Sequence, residues 1–261
     1  MADDFWRTEL SFVARSKILV RGYRIEDLME RCSFGDVVYL MFAGELPKGN
    51  EGKLIEAILV SSVDHSLAAP SIDAARFVAS CGVPMQAAVA SGVNALGDIH
   101  GGAIEQCAKM FQEALAAHPG VEHAEVARRV VQQYRQAKQR ILGYGHPIHN
   151  PDPRTLKMLE LAERLHLIGP NTSLALALEG AIKEGFGREL PLNVDGAIAA
   201  LISDLGIDWR LGKGFFIIAR TVGLVAHSHE QMTKERPFKA AAASDIVYNG
   251  PPERDLPAAF A

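Results

Sequence analysis

Apolar residues recur at helical spacing along most of the 261-residue chain, and glycine and proline separate one such run from the next. Apolar side chains at i, i+3, i+4 and i+7 share one face of an α-helix, whereas a half-buried strand requires strict alternation. Alternation is scarce here, and the segment KILVRGY (17–23) alone suggests a short strand, which leads to a turn at Gly22. The pattern therefore predicts an all-α protein of many helices.

The glycine and proline positions set the expected ends of these helices. Two segments, MQAAVASGVNALG and VDGAIAALISDLG, are rich in small residues and apolar nearly all round, which favours burial against several neighbours and an oligomer. The terminal segment YNGPPERDLPAAFA is interpreted as an extended arm, with disorder as the alternative. The predicted helices cover residues 24–31, 34–42, 51–63, 71–80, 85–96, 103–117, 122–140, 153–165, 172–184, 194–205 and 213–234.

Composition restricts the function classes. With 48% hydrophobic and 22% charged residues, the chain can bury one large core, with or without a smaller lobe. A net charge of −4 gives no reason to expect nucleic acid as a partner. No apolar run reaches the length of a membrane span, and MADDFWRTEL has the features of neither a signal peptide nor a mitochondrial targeting sequence. We expect a cytoplasmic protein with no nucleic-acid and no membrane partner.

Metal binding is not expected either. The cysteines Cys32, Cys81 and Cys107 lack the spacing of a zinc site or a disulfide framework, and we interpret them as reduced packing residues. Nine histidines are present. His227 and His229, however, lie two residues apart on a helical pattern and point to different faces.

Titratable residues stand out at glycine-rich or small-residue junctions. His100 precedes a Gly-Gly pair and a predicted helix, where backbone N–H groups and the helix dipole favour a neutral imidazole and an anionic ligand. His146 follows Gly143 and Gly145. Asp195 opens one predicted apolar helix, and His65 follows the end of another predicted apolar helix. Each residue also has a structural interpretation: a capping turn at His100, an N-cap at Asp195, and a buried, hydrogen-bonded histidine at His65.

Taken together, these side chains can support chemistry on an acyl thioester and a dicarboxylate. A carboxylate can remove a proton alpha to a carbonyl, and a neutral imidazole can donate a hydrogen bond to the developing enolate oxygen. Arg154 and Arg220, on predicted helices, offer bidentate forks for carboxylates.

The motifs, in this order, resemble the citrate synthase superfamily. The resemblance implies an all-α, multi-helix citrate synthase-like fold with a large helical core and a reduced small lobe. It also implies a single unit over residues 1–261, in which 98–206 carry most catalytic and coenzyme A-facing segments and 207–261 complete the site and the dimer contacts. The matching segments are RGYRIEDLMERCSFGDVVYLMFAGELP, VDHSLAAPS, LGDIHGGAIE, GYGHPIHNPDPR, LNVDG, ARTVGLVAHSHEQ and ERP.

The resemblance also implies catalytic roles, position by position. Asp195 would be the base that takes the acetyl methyl proton, and His100 would stabilise the enolate. His146 would bind and polarise the oxaloacetate carbonyl and would protonate the new alkoxide in the synthetic direction.

Substrate-binding roles follow in the same way. His65, Arg154 and Arg220 would hold the carboxylates of the oxo acid. Arg236 matches an arginine that the family donates to the neighbouring subunit's site, which implies a homodimer or a higher homo-oligomer.

Coenzyme A contacts are implied for a third group of residues. A coenzyme A thioester would be substrate or product, and no cofactor would be bound permanently. Arg188 falls where the family places a basic residue near a coenzyme A phosphate. The adenine would be received by the backbone of Leu142, Gly143, Tyr144 and Gly145.

The sequence departs from full-length citrate synthases in its length. Those enzymes carry a long helical insertion between GELP and the DH segment, whereas one short helix separates Pro47 from Asp64 here. This short arrangement resembles citryl-CoA lyase and the C-terminal module of ATP-citrate lyase. IHGG nevertheless keeps a histidine that ATP-citrate lyase replaces, so synthase activity stays an alternative. Ile104 stands where citrate synthases usually have asparagine, and Pro147 where the lyase module has arginine.

The leading prediction is a carbon–carbon lyase that cleaves citryl-CoA, or a close analogue, to acetyl-CoA and oxaloacetate by retro-aldol or Claisen-type acid–base chemistry. A compact citrate or 2-methylcitrate synthase is the second prediction, because the same residues serve both directions. A third, of another class, is a non-catalytic acyl-CoA-binding subunit of a larger complex, with a coenzyme A ligase as a partner.

Overall fold

Helices dominate residues 5–146 and 151–260, the part of the chain that the computed structural model describes. The prediction of an all-α protein is confirmed, apart from one small sheet. Within those ranges the α-helices are α1 (Ile25–Arg31), α2 (Phe34–Ala43), α3 (Glu51–Ser62), α4 (Pro70–Ala79), α5 (Met85–Asn94), α6 (Ala103–Ala117), α7 (His123–Gln136), α8 (Pro153–Arg164), α9 (Pro170–Phe186), α10 (Val194–Asp204) and α11 (Gly212–Lys234).

A small antiparallel sheet precedes the helices. Its strands are β1 (Ser11–Ala14), β2 (Lys17–Val20) and β3 (Tyr23–Arg24), in the order β1-β2-β3. The strand expected within KILVRGY is β2, and the turn at Gly22 has a positive φ of 88°. The flanking strands β1 and β3 were not predicted.

The main core surrounds α10. Residues 196–203 of this helix are all buried, and α10 packs against α6, α9 and α8. Small side chains let these helices approach closely, which explains why a helix that is apolar all round was correctly expected to be buried. The other end of α10 is tied to α9, because the Asp204 carboxylate accepts hydrogen bonds from the backbone N–H groups of Gly169, Asn171 and Thr172 at 2.8–3.0 Å.

A second, smaller core joins α4, α5 and α11. Its buried residues are Ala69, Ile72, Ala75 and Leu224. The long helix α11 contacts this group and also α3 and α6, so it spans both cores. The loop from α5 to α6, which carries His100, therefore crosses from one core to the other.

The ends of several helices differ from the predicted ones. Helix α7 stops at Gln136 rather than at 140, and Lys138 takes a positive φ of 53° that ends the helical geometry. Helix α9 begins two residues earlier than expected, with Pro170 in its first turn, a position where the missing N–H of proline costs nothing.

The cysteines and the C-terminal arm differ in how far they are exposed to solvent. Cys107 is buried, but the interpretation of all three as packing residues is wrong for Cys81, which is exposed after the end of α4. Residues 239–259 are exposed and, apart from short 3-10 turns, have no regular structure, as an extended arm requires. Among the helices of residues 5–146 and 151–260, none combines the length and apolarity that crossing a membrane takes.

Candidate active site

The His100 turn connects α5 to α6. The backbone N–H of Gly97 donates to the carbonyl of His100 at 2.9 Å, and the N–H of His100 donates back to Gly97 at 3.0 Å. Gly101 then has a φ of +84°, and a Cβ at this position would lie 2.9 Å from the Phe216 ring. Glycine is therefore required for the turn to settle against α11. The N-cap of α6 is Gly102, which makes no side-chain capping bond, so the His100 ring does not cap this helix.

Contacts with Ser71 define the protonation of His100. The Ser71 backbone N–H donates to His100 Nε2 at 3.3 Å, and the Ser71 hydroxyl lies 2.9 Å from the same atom. Because Nε2 accepts, the ring proton of a neutral imidazole is on Nδ1. Burial lowers the pKa of His100, and the positive charges of Arg220 and His65 lower it further. The site therefore contains a neutral imidazole with an Nδ1–H donor.

Arg220 is a buried cation on α11, next to His100. Its Nε donates to the Ser62 carbonyl at 3.1 Å, and its Nη1 donates to the Ser71 hydroxyl at 3.4 Å. The guanidinium carbon also lies 4.8 Å from the centroid of the Phe216 ring, within the range of a cation–π contact. Ser71 thus links Arg220 to His100.

Two further histidines approach each other. The ring centroids of His65 and His146 are 5.8 Å apart, with the ring planes tilted by 56°. His65 lies after α3, in a turn where Ser66 takes a positive φ of 57°. His146 ends the glycine loop before α8. The fold therefore brings together two histidines that are 81 positions apart in sequence, the difference between 146 and 65.

Asn193 joins the His146 loop to the Asp195 helix. Its backbone N–H donates to Gly143 at 2.9 Å, and its side-chain amide donates to the Gly145 carbonyl at 2.7 Å. Its Oδ1 accepts from the N–H groups of Asp195 and Gly196 at 3.0 and 3.1 Å. Asn193 is therefore the N-cap of α10, and the alternative interpretation of Asp195 as the cap is wrong.

Burial is the largest influence on the Asp195 carboxyl. It raises the pKa of Asp195 to about 6; the negative charge of Asp152 adds to the effect, and the positive charges of Arg154 and Arg220 oppose it. A carboxyl with such a pKa exchanges protons near neutral pH, as general acid–base catalysis requires.

Arg154 is held by a buried aspartate. Asp152 accepts from Arg154 Nε at 3.0 Å and from Arg154 Nη2 at 2.7 Å, and it also accepts from the Arg154 backbone N–H at 3.0 Å. This bidentate pair fixes the guanidinium at the start of α8. The electrostatic influences on Asp195 and Arg220 both include Arg154, so these three groups lie within range of one another.

A cavity of about 730 Å³ opens beside His146 and Asn193, which both line it. Its size suits a ligand larger than a metabolite of a few carbon atoms. The residues that the sequence assigned to coenzyme A all line it, together with the adjoining Gln139, Arg140 and Asn193, which were not predicted. The assigned residues are Leu142, Gly143, Tyr144, Gly145 and Arg188.

Arg236 lies outside the group of site residues described so far. It is exposed beyond the end of α11, and its backbone carbonyl accepts a hydrogen bond from Gln231 at 3.0 Å. The expected approach to a neighbouring subunit's site stays a prediction. In residues 5–146 and 151–260, no group of three or more His, Cys, Asp or Glu side chains could hold a metal ion.

Three residues of the site, Ser71, Asp152 and Asn193, were not predicted from the sequence. Ser71 and Asp152 had no pattern to mark them, because a serine or an aspartate at the start of a helix usually caps it. Asn193 did carry a signal: an asparagine two residues before a helical aspartate is a strong N-cap candidate, and giving it that role leaves the aspartate available.

A family model described as "Citrate synthase, C-terminal domain" matches residues 4–54 and 48–241. The match covers well over half of the chain, so the chain belongs to the citrate synthase family of enzymes. The resemblance found in its motifs is confirmed.

Solved structures agree on the fold. Citryl-CoA lyase from Hydrogenobacter thermophilus superposes with a TM-score of 0.91 at 41% identity, covering 98% of this chain and 99% of that chain. ATP citrate lyase from Methanothrix soehngenii, solved with citrate and coenzyme A, has a TM-score of 0.81 at 24% identity and covers 97% of this chain and 43% of that chain. The expected citrate synthase-like fold is confirmed.

Curated relatives are longer. Citrate synthase 2 from Bacillus subtilis (strain 168) is 29% identical over 213 residues, which are 80% of this chain and 54% of that protein. The citrate synthase from Synechocystis sp. is 30% identical over 76% of this chain and 50% of its own length. The chain thus spans about half the length of these two relatives.

The raised pKa of the half-buried Asp195 predicts an effect on folding stability. Well below pH 4 it is protonated in both the folded and the unfolded chain; as the pH rises towards 6, the unfolded chain loses the proton first. Folding stability therefore falls through this range. Since one pKa unit corresponds to about 1.4 kcal/mol, we expect Asp195→Asn to raise the free energy of unfolding by about 1–3 kcal/mol at pH 7.

Urea unfolding at pH 4, 5.5 and 7 measures this effect. The gain should fall to about 0.5 kcal/mol at pH 4, and Asp255→Asn, in the exposed arm, serves as the matched control with no gain. A loss of stability on Asp195→Asn at pH 7 would contradict the burial argument.

Proposed function

We propose that the chain is a carbon–carbon lyase that cleaves citryl-CoA, or a close analogue, to acetyl-CoA and oxaloacetate. The observation that carries the proposal is the carboxyl of Asp195. Its pKa is about 6, two arginines lie within electrostatic range of it, and its N-cap neighbour Asn193 lines the large cavity. A lyase is favoured over a synthase because the likeness to citryl-CoA lyase extends over 98% of this chain at 41% identity.

The cleavage begins at the hydroxyl of the substrate. Neutral His146 accepts the hydroxyl proton, the bond between the hydroxyl-bearing carbon and the CH2 of the acetyl unit breaks, and the hydroxyl carbon becomes the ketone of oxaloacetate. The electron pair of the broken bond passes to the thioester as an enolate. His65, whose ring centroid is 5.8 Å from that of His146, lies where it can bind the oxo acid.

The enolate is then stabilised and protonated. His100 donates its Nδ1–H to the enolate oxygen, and Ser71 at Nε2 keeps the ring in the tautomer that can do so. Protonated Asp195 delivers its proton to the CH2 carbon and forms the methyl group of acetyl-CoA. About a tenth of a carboxyl with a pKa near 6 carries a proton at pH 7, so the acid form is accessible.

Carboxylates and the nucleotide have separate binding groups. Arg154 and Arg220 face the carboxylates of the oxo-acid half, and Arg220 is held ready by its bond to the Ser62 carbonyl. Coenzyme A occupies the cavity along residues 142–145, with Arg188 and Arg140 at its edge as cations for phosphate groups.

A compact citrate or 2-methylcitrate synthase is the second candidate. The intact pairing of His100 with Ser71 favours it, since this donor would stabilise the enolate equally well during condensation. A synthase must in addition hydrolyse the thioester. Location in the cytoplasm, the identity of the oxo acid and a coenzyme A ligase partner are further parts of the proposal that rest on the sequence.

Product analysis tests the reaction. We expect rapid release of acetyl-CoA and oxaloacetate from citryl-CoA, and much slower release of free coenzyme A from acetyl-CoA plus oxaloacetate. Asp195→Asn should lower kcat for cleavage by at least about a hundredfold, because the proton donor to carbon is lost. Asp255→Asn is the control.

Three results would contradict the lyase. Substantial condensation with hydrolysis, together with little cleavage, would establish the synthase instead. Binding of acyl-CoA without turnover in either direction would favour a non-catalytic subunit. A turnover rate of Asp195→Asn within threefold of that of the unsubstituted chain would show that Asp195 is not the proton donor.

Active-site sharing between subunits is tested by mixing two inactive variants. Each site is expected to combine Asp195 of one subunit with Arg236 of the other, so a heterodimer of Asp195→Asn and Arg236→Ala chains has one intact site. Random pairing should restore about a quarter of the normal activity. In the control mixture, Arg254→Ala in the exposed arm replaces Arg236→Ala; its own sites stay intact, so about half of the normal activity is expected. Verified heterodimers without recovered activity would contradict the shared site.

A further inference from the structure

His227 bridges two charged side chains from different parts of the chain. Its Nε2 lies 3.2 Å from Oδ1 of Asp64, and its Nδ1 lies 3.3 Å from Nη1 of Arg76. Asp64 follows α3, Arg76 is on α4 and His227 is on α11, so one ring connects three helical segments.

The two contacts define the tautomer of the ring. A guanidinium can only donate, so Nδ1 of His227 must accept from Arg76. The ring proton is then on Nε2, where it is donated to the Asp64 carboxylate. His227 is therefore a neutral bridge with a fixed direction. If the ring proton were on Nδ1 instead, this N–H would face the Arg76 donor and Nε2 would face the Asp64 acceptor.

Arg76 holds its end of the bridge firmly. Its side chain is buried on α4, and Nη1 also donates to Glu230 Oε2 at 2.7 Å. Nη2 lies 3.8 Å from a carboxylate oxygen of Glu235. Because the guanidinium is fixed by these acids, Arg76 fixes the orientation of the His227 ring in turn.

Asp64 holds the other end, at the turn that carries His65. Its Oδ2 accepts from the backbone N–H of Ser66 at 3.1 Å, across the left-handed φ of Ser66. Burial alone would raise the pKa of Asp64, but the Ser66 N–H and the His227 ring outweigh it and hold that pKa below its ordinary value. The same carboxylate thus accepts a hydrogen bond from His227 with one oxygen. Its other oxygen accepts the Ser66 N–H and closes the His65 turn.

We propose that His227 is a positioning residue for substrate binding: through Asp64 it fixes the turn that presents His65 to the oxo acid. The inference rests on the proposed function, in which His65 binds the oxo acid. His227 does not touch the substrate in this account, and its effect passes through one carboxylate.

Three substitutions separate the two contacts of the ring. In His227→Gln the side-chain amide nitrogen can reach the position of Nε2 and donate to Asp64. In His227→Asn the shorter side chain places its oxygen near Nδ1, where it can accept from Arg76 but not reach Asp64. His227→Leu keeps a similar volume and makes neither contact. A purely structural role would rank the variants by stability, whereas positioning ranks them by the Asp64 contact.

The effect is measured by steady-state kinetics of the condensation of acetyl-CoA with oxaloacetate, which is the reverse of citryl-CoA cleavage. KM for oxaloacetate and KM for acetyl-CoA are expected to respond differently. His227→Gln should keep KM for oxaloacetate within about threefold, while His227→Asn and His227→Leu raise it by about tenfold, the effect of one lost charged hydrogen bond. KM for acetyl-CoA should change by less than about twofold in all three. Equal KM values for oxaloacetate in the Gln, Asn and Leu variants would overturn the proposal.

Nitrogen-15 NMR of the histidine rings tests the positioning without catalysis. The unsubstituted chain should show His227 as the Nε2–H tautomer, and the His65 signals should move in His227→Leu and His227→Asn but not in His227→Gln. An Nδ1–H tautomer, or His65 signals unmoved in His227→Leu, would overturn the proposal. Absence of turnover in the unsubstituted chain, with the expected NMR result, would instead count against the proposed function alone.

Discussion

The site depends on the close approach of the Asp195 helix to the His146 loop. A Cβ on Gly143 would lie 2.6 Å from the Cys107 sulfur and 2.9 Å from the Gly196 Cα, so only glycine allows this contact. Asn193 then closes the junction with three hydrogen-bonding groups. The resulting burial raises the pKa of Asp195 into the range where a carboxyl can both give and take a proton.

The remaining groups complement this buried acid. Ser71 and burial keep His100 neutral, so it can donate a hydrogen bond without adding a positive charge beside the arginines. The arginines lower the energy of the charged carboxylate, yet they do not return its pKa to the ordinary range. A balance between desolvation and paired charge, rather than any single residue, therefore suits the cluster to the proposed acid–base chemistry on a thioester.

Local patterns predicted the helices and the ordered motifs, because these depend on neighbours in sequence. VDGAIAALISD, for example, is apolar all round and forms the buried helix that its composition indicates. Contacts made by the fold were not predictable in this way. Asp64 and His227 are 163 positions apart, and Ser71 meets His100 across 29 positions, so no spacing rule connects them. The N-cap could have been assigned to Asn193, whereas the pairing of Asp152 with Arg154 inside the site required coordinates.

The most direct measurement is the pKa of Asp195 itself, from carbon-13 NMR of carboxyl-labelled protein over pH 4–8. The value should be about 6. Since the charge of Asp152 raises this pKa and that of Arg154 lowers it, Asp152→Asn should shift it down and Arg154→Gln should shift it up. A pKa near 4 in the unsubstituted chain, unmoved by either substitution, would contradict the claim that the fold buries a catalytic carboxyl beside these charges.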